Sequence, residues 1–435
     1  MKISATLGVL AMGLTAFAAV PACAGPAPAP ELAGLPSPGA DYRVDRMVIL
    51  YRHGLRAPLD SEIGAKEYSS DPWPVWSTAN AQLTPHGRAA LRLMGGYDRA
   101  WFTALGLFGA AGCPGADTLD IYTDSDDRSI GSGHELREGL APGCQIQTRH
   151  KPLDVPDLAF TAGAPGAAPF DAKAAVASIN RYTNGSPATL VEQTRPETRV
   201  LETILGCRDT AKTDGQCDIA AVPTDLHADD SGIQFSGPIM ITSGTAEVLL
   251  LQYAEGMPMS QVGWGRADPA KLAEVSRLHA LLFDVFDRSP YMARRTATEM
   301  APRIRDLLTG GEAPKVTLFV GHDNNIAALT SLLGASFHIP SYGRDDPPIG
   351  GGLGFELLTN TKTGKRFVRV FYQAQTLDQM RDLSPLSLAS PPAMQVLSPT
   401  CAKGPAKLCP LDELADLFTW PGQAQVPAAD SGEAE

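Results

Sequence analysis

The sequence predicts an α/β fold interrupted by a mostly helical insertion, and three observations carry that reading. The apolar runs Met47-Val48-Ile49-Leu50 and Lys315–Val320 read as buried strands. Between them, Thr118–Thr123 alternates like a strand and leads into a helix start. From about Lys151 to Gly265 that strand–helix rhythm stops and helical patterns take over. Alternating strands and helices place functional loops at the strands' C-terminal ends.

At 435 residues the chain is long enough for two domains, or for one with a large insertion. Its 44% hydrophobic and 19% charged residues describe a globular protein, not a disordered one. A formal net charge of −12 argues against nucleic acid as a partner. Any phosphate site must therefore be a local basic pocket.

Residues 1–24 read as a signal peptide. Lys2 is the charged start, Leu7–Val20 the apolar stretch, and Ala22-Cys23-Ala24 the small-x-small cleavage site. Acylation of Cys23 would make a lipoprotein instead, but Pro21 just before Ala22 weighs against it. Residues 25–40 form a Pro/Ala-rich tether, and no later stretch has the length and apolarity of a membrane span. The expected localisation is periplasmic or secreted, with no stable membrane association. Six cysteines remain, Cys113, Cys144, Cys207, Cys217, Cys401 and Cys409, an even number suited to disulfides in an exported chain. Six cysteines allow fifteen pairings. Cys207/Cys217 and Cys401/Cys409 are close enough for loop-closing staples, which leaves Cys113 and Cys144 for each other. A zinc site is the rival, but the chain has no CxxC and no HExxH.

The organisation expected is a first core part over 41–150, the insertion over 151–264 and a second core part over 265–435. After the first strand, Thr84 reads as the N-cap and Pro85 as the first residue of a helix reaching about Phe102. A second helix should begin within Asp124–Ser129. In the insertion, helices are expected around Asp171–Arg181 and Pro187–Leu205, and an apolar helix capped by Ser243. Two more are expected at Asp268–Phe286 and Ser289–Leu308. The strand ending at Val320 runs into Gly321-His322-Asp323-Asn324-Asn325 and a helix to Leu333. Leu353–Leu357 and Arg366–Gln375 look like paired strands.

Three strand ends carry the chemistry. Tyr51-Arg52-His53-Gly54-Leu55-Arg56-Ala57-Pro58 puts arginines on both sides of one histidine. Guanidinium forks suit phosphate oxygens, and like charge lowers the histidine's pKa, leaving a neutral nucleophile. Alone it is equally a basic turn at a strand end. Arg128 alone is a solvated helix residue, and His322-Asp323 alone a hydrogen-bonded turn. Together they describe one phosphoryl-transfer site.

Arg52-His53-Gly54-Leu55-Arg56-Ala57-Pro58 with the distal His322-Asp323 resembles the histidine acid phosphatase family. Trp73-Pro74-Val75-Trp76, Asp127-Arg128-Ser129, Leu250–Pro258 and Pro348-Ile349-Gly350-Gly351 resemble its bacterial periplasmic branch of phytases and glucose-1-phosphatases. The resemblance implies a phosphoglycerate-mutase-like three-layer α/β core with a mostly helical inserted domain. It implies His53 as nucleophile, Arg52, Arg56, Arg128 and His322 on the phosphate oxygens, and Asp323 as proton donor. No cofactor or metal is implied. The cysteines match three of the family's disulfides, while both partners of a further long-range bridge found in some members are missing. A phosphoglycerate-mutase-like phosphotransferase and a non-catalytic phosphate binder are the other readings. Export and disulfides argue against the first, the presence of both His53 and Asp323 against the second.

Candidate substrate contacts are Leu59, Asp60 and Glu247. Phytase-like members carry a short polar residue and a lysine after the motif's proline, where this chain has Leu59 and Asp60. A carboxylate there should repel a polyanion. Glu247, in an apolar helix, is either a cleft-edge surface residue or a contact to substrate or an arginine. Pro348–Gly351 and Gln261–Trp264 lean toward the glucose-1-phosphatases, Arg52-His53-Gly54 and Asp127-Arg128 toward the phytases. The substrate expected is a small sugar phosphate such as glucose 1-phosphate, with phytate as alternative. His86, His134, His150, His227, His279 and His338 have no spaced partner and read as structural or exposed.

Overall fold

The structure is a computed structural model that describes residues 39–63, 68–164, 166–207 and 217–421. The expected signal peptide, Cys23 and all but the end of the expected tether lie outside the described residues. The described residues belong to one compact unit.

The chain enters through β1 (Tyr42–Arg52), then α1 (Pro85–Ala104), β2 (Leu119–Thr123), α2 (Asp127–Leu140) and the short β3 (Thr148–Arg149). Next come α3 (Ala172–Tyr182), α4 (Ala188–Gln193) and α5 (Arg195–Leu205). A hairpin of β4 (Asp225–Asp229) and β5 (Gly232–Ser236) precedes α6 (Pro238–Ala254), α7 (Pro269–Phe286), α8 (Pro290–Thr296) and α9 (Met300–Thr309). The core resumes with β6 (Val316–Gly321), α10 (Asp323–Leu333), β7 (Gly352–Asn360) and β8 (Arg366–Ala374). It closes with α11 (Leu377–Arg381), β9 (Ala393–Val396), β10 (Cys409–Pro410) and α12 (Leu411–Leu417).

Eight strands make one mixed sheet in the order β10-β8-β7-β1-β6-β2-β3, with β9 also on β8. β1 sits inside it, parallel to β6 and antiparallel to β7. Its period of two divides its side chains between two cores. Met47, Ile49 and Tyr51 join Leu91, Met94, Trp101 and Leu136 on the α1/α2 side. Val48 and Leu50 join Leu249, Leu278, Ile304 and Ile326 on the other. A sheet buried on both faces needs near-continuous apolar strands, which is why Met47–Leu50 stood out in the sequence. The result is helix, sheet, helix: a three-layer α/β core.

Four sequence expectations change. The apolar helix starts at Pro238, with Gly237 as N-cap, so Ser243 lies one turn inside and its hydroxyl donates to the His279 carbonyl at 3.3 Å. Proline is preorganised for the first helical turn, and that outweighs a serine further along. The stretch Pro187–Leu205 is two helices meeting at Thr194, just ahead of Pro196. Ser289–Leu308 divides into α8 and α9. The β4–β5 hairpin is strand where helix dominated the reading; it is largely exposed, so it lacks an apolar run. The cysteines pair as Cys113–Cys144, Cys207–Cys217 and Cys401–Cys409.

Candidate active site

β1, β6 and β2 lie side by side, with Arg52 opposite Gly321 and Thr123 opposite Val320. Adjacent strands are about 4.8 Å apart, so His53, His322 and Asp124, the next residue of each, come together at one sheet edge. The His53 and His322 ring centroids are 5.6 Å apart. The His53 N–H donates to the Gly321 carbonyl at 2.8 Å, and the Gly350 N–H to the His53 carbonyl at 3.1 Å. Gly54 has no room for a side chain, since a Cβ there would lie 2.5 Å from Leu91 and 3.1 Å from Leu83. Its N–H donates to Ser132 Oγ at 2.9 Å, tying the motif loop to α2.

His53 is buried, and its Nδ1 lies 2.9 Å from the Gly54 carbonyl oxygen. A carbonyl only accepts, so Nδ1 carries the proton and the lone pair is on Nε2. Burial pushes the imidazole pKa well below its usual value, and Arg128, Arg56, Arg52 and His322 push the same way. The ring is held neutral, in the tautomer of a nitrogen nucleophile.

The cations around it are held in different ways. Arg56 is gripped by both oxygens of Glu62, at 2.8 and 2.5 Å. Arg128 pairs with Asp126 at 2.7 Å and approaches His322 Nδ1 at 3.5 Å. Arg52 lies beneath the cleft, with Nη1 on the Pro347 carbonyl at 2.7 Å and Nη2 bonded to Glu247 and 3.0 Å from Asp323. The Nε–H of all three guanidiniums is buried without an acceptor among the described residues. Buried donors are seldom left unmet, but these three have no accessible surface, so the guanidinium atoms that meet the cleft are others on Arg56 and Arg128.

His322 turns Nε2 to Asp124 Oδ2 at 2.7 Å, which leaves Nδ1 toward Arg128. As N-cap of α10 it sits where helix N–H groups favour an anion. Asp323 is one-fifth exposed and bonds Arg52. Burial pushes its carboxyl up, but Arg52, then His279, His322 and Arg56 outweigh it and hold it at about 2. Asp124, Asp126 and His322 offer three donor atoms within 4.8 Å of one another. Arg128 already neutralises Asp126, so this donor set reads as the brace of His322.

These residues open on a cleft of about 370 Å3 that also includes Leu59, Met240, His279 and Phe283. Among the described residues, Arg56 and Arg128 are the only arginines that line it, and no lysine does. A larger cleft of about 580 Å3 with Arg181, Arg294 and Arg295 holds none of the candidate catalytic groups. Leu59 is at the active cleft as anticipated. Asp60 is not: it is exposed, accepts a hydrogen bond from Asn80, and leaves the rim to Glu62. The cause is the tight turn Asp60–Ile63, whose period near three sends residues two apart in different directions. Glu247 is buried under Arg52 and does not line the cleft, so the arginine contact holds and the substrate contact does not. His279, set aside by sequence, lines the cleft. Glu62, Asp124 and Asp126 were also passed over; the sequence signal available was the acidic run Asp124–Asp127 beside Arg128.

Residues 43–174 match the family model of the histidine phosphatase superfamily (branch 2). Phytase AppA of Escherichia coli (strain K12) is 32% identical over 372 residues, 81% of this chain and 85% of the relative. The chain belongs to the histidine phosphatase superfamily. It is a phosphoric monoester hydrolase of that family. A glucose-1-phosphatase of Providencia rettgeri is 30% identical, covering 86% of this chain and 89% of its own. The solved structure of Hafnia alvei phytase in complex with tartrate matches with a TM-score of 0.82 at 28% identity, covering 89% of this chain and all of its own.

In this histidine phosphatase the Arg52–Glu247 pair is fully buried, so removing one partner strands the other charge. Glu247→Ala should lower stability by about 3–5 kcal/mol, with Glu247→Gln losing less. Urea unfolding curves of the three proteins would check this.

Proposed function

We propose that the chain is an exported histidine acid phosphatase that favours small sugar phosphates. His53 Nε2 attacks phosphorus while Arg56, Arg128 and His322 hold the non-bridging oxygens. Arg52 supplies charge from beneath and anchors Asp323. The N–P bond forms as the ester P–O bond breaks, and Asp323 gives its proton to the leaving alkoxide. Asp323 then takes a proton from the water that attacks the phosphohistidine, releasing phosphate and free His53. Export follows from the signal-like residues 1–24, in keeping with three disulfides. Residues 151–264 are taken as the insertion into a core of 41–150 and 265–435; among the described residues the large sheet draws no strand from 151–264.

The observation that carries the substrate preference is the charge of the cleft. Its arginines crowd about His53, enough for one phosphoryl group, and its rim carries Glu62. A polyanion must bring further phosphates past that carboxylate. Glucose 1-phosphate, phytate and a small aryl phosphate assayed side by side test this, with the highest kcat/KM expected on glucose 1-phosphate. Phytate turnover far above the other two would reverse the preference. Phytate is the second reading because the phytase AppA is among the relatives, and the Hafnia alvei phytase superposes over most of the chain.

If Glu62 restricts polyanions, Glu62→Gln should raise the phytate to glucose 1-phosphate ratio of kcat/KM roughly tenfold. Steady-state kinetics on both substrates reads the ratio directly, and an unchanged ratio would clear Glu62 of that role.

A further inference from the structure

His279 is a buried histidine in the wall of the active cleft, and the mechanism above gives it no task. Its Nδ1 lies 2.6 Å from Asp346 Oδ1 and 3.7 Å from Glu247 Oε2. Asp346 is itself fixed by the Ser276 hydroxyl, and Ser276 Oγ accepts the Gly343 N–H at 2.8 Å. The Phe283 ring meets the imidazole edge-on with centroids 5.1 Å apart. The imidazole is thus oriented by a carboxylate on one edge and an aromatic ring beside it. Its Nε2 has no hydrogen-bond partner among the described residues, and it is not among the buried unpartnered atoms, so that edge meets the cleft.

The charges about the ring decide which proton it carries. Burial disfavours the imidazolium, but the carboxylates of Asp346 and then Glu247 outweigh burial and push the group up to about 9. Arg52 opposes them by a smaller amount. At acidic pH both nitrogens therefore carry hydrogen, and Nε2 is a charged donor. Asp323 locates that donor. Both side chains line the same cleft, and the His279 imidazolium helps to hold the Asp323 carboxyl down.

We propose that His279 is a specificity-determining residue whose Nε2–H donates to an oxygen of the leaving alcohol next to the ester, so that the enzyme selects phosphate esters of polyols and sugars over those of plain alcohols. This rests on the reading of Asp323 as the leaving-group acid. The sequence hid it because the group that orients His279 lies 67 residues away, on a different segment.

The test is the ratio of kcat/KM for glucose 1-phosphate to that for cyclohexyl phosphate, a ring of similar size without neighbouring oxygens. His279→Leu should lower this ratio about 10- to 100-fold, the range for one charge-assisted hydrogen bond. His279→Gln, which keeps an N–H donor but no charge, should fall between. Loss of the imidazolium also shifts Asp323, so the ratio of cyclohexyl phosphate to 4-nitrophenyl phosphate, which senses the acid and not the neighbouring oxygens, is measured as the control. Should His279→Leu fail to fold for want of a countercharge, His279→Leu with Asp346→Asn removes the buried pair together, and the same fall is expected. Equal losses on both substrates, or an unchanged ratio, would overturn the proposal and leave His279 a structural residue. Failure of the underlying reading looks different: Asp323→Asn would then hydrolyse both alkyl esters at the wild-type rate.

Discussion

His53→Ala should abolish phosphomonoester hydrolysis, with a loss on the order of 10⁴-fold or more, while the protein stays folded and still binds phosphate. The loss follows from the lone pair on Nε2, which no other group of the cleft is placed to supply. The fold should survive because the ring's one hydrogen bond goes to the carbonyl of its own neighbour, Gly54. Removing a neutral imidazole also leaves the charges of Arg56 and Arg128 as they were, so inorganic phosphate should still bind. Initial rates on glucose 1-phosphate, a thermal unfolding curve and a phosphate titration separate these claims. Rapid quench of the wild type into alkali with labelled substrate should trap phosphate on His53, because the N–P bond survives base and is cleaved in acid. Substantial turnover by a folded variant would remove His53 as the nucleophile. The pH direction is fixed as well. A pKa well below the usual 6.5 keeps Nε2 unprotonated into the acid range, so activity falls only as the pH drops through that lowered value.

Where the sequence could be read, one physical property of each stretch was enough to define it. β1 was legible from Met47 to Leu50 because both faces of that segment are buried. Its first residues were not, because Arg43, Asp45 and Arg46 break the apolar run, although Arg46 is buried and donates to the Gly310 carbonyl at 3.0 Å. α1 was legible through Thr84, whose hydroxyl accepts the Gly87 N–H at 2.9 Å, and Pro85. For α6, Gly237-Pro238 carried the same kind of signal, but a serine nearer the apolar residues drew the reading inward. The groups that do the chemistry stand in short motifs at strand ends, and His53, Arg56, Arg128, His322 and Asp323 could be named there. Of the groups that hold them, only Glu247 stood out, as a carboxylate in an apolar helix, and which arginine it meets could not be read. Glu62 reaches Arg56 only after a tight turn, Asp124 reaches His322 across 198 residues, and Glu247 reaches Arg52 across 195. Such pairings belong to the fold, and no local spacing announces them.

Asp323→Asn should divide substrates by leaving group. Esters of ordinary alcohols should lose about 10²–10⁴-fold in kcat, the usual share of a general acid. 4-Nitrophenyl phosphate, whose phenolate leaves without a proton, should lose less than about tenfold. The pH dependence has to explain how a carboxyl held at about 2 by Arg52 and His279 acts as an acid several units higher. A phosphate monoester loses its second proton near pH 6, so below that it arrives carrying the proton the leaving group needs. Arg56 and Arg128 favour the dianion, while the bound anion raises the Asp323 carboxyl by like charge, so the proton passes from phosphate to Asp323. The proton is available below about pH 6 and lost as the pH rises through it, and the nucleophile is lost only at the lowered pKa of His53. An acidic optimum results, with a basic limb for alkyl esters that 4-nitrophenyl phosphate, which needs no proton on its leaving group, should lack. A wild-type rate on alkyl esters that climbs above pH 7, or equal losses on both leaving groups in the variant, would take the acid's role away from Asp323.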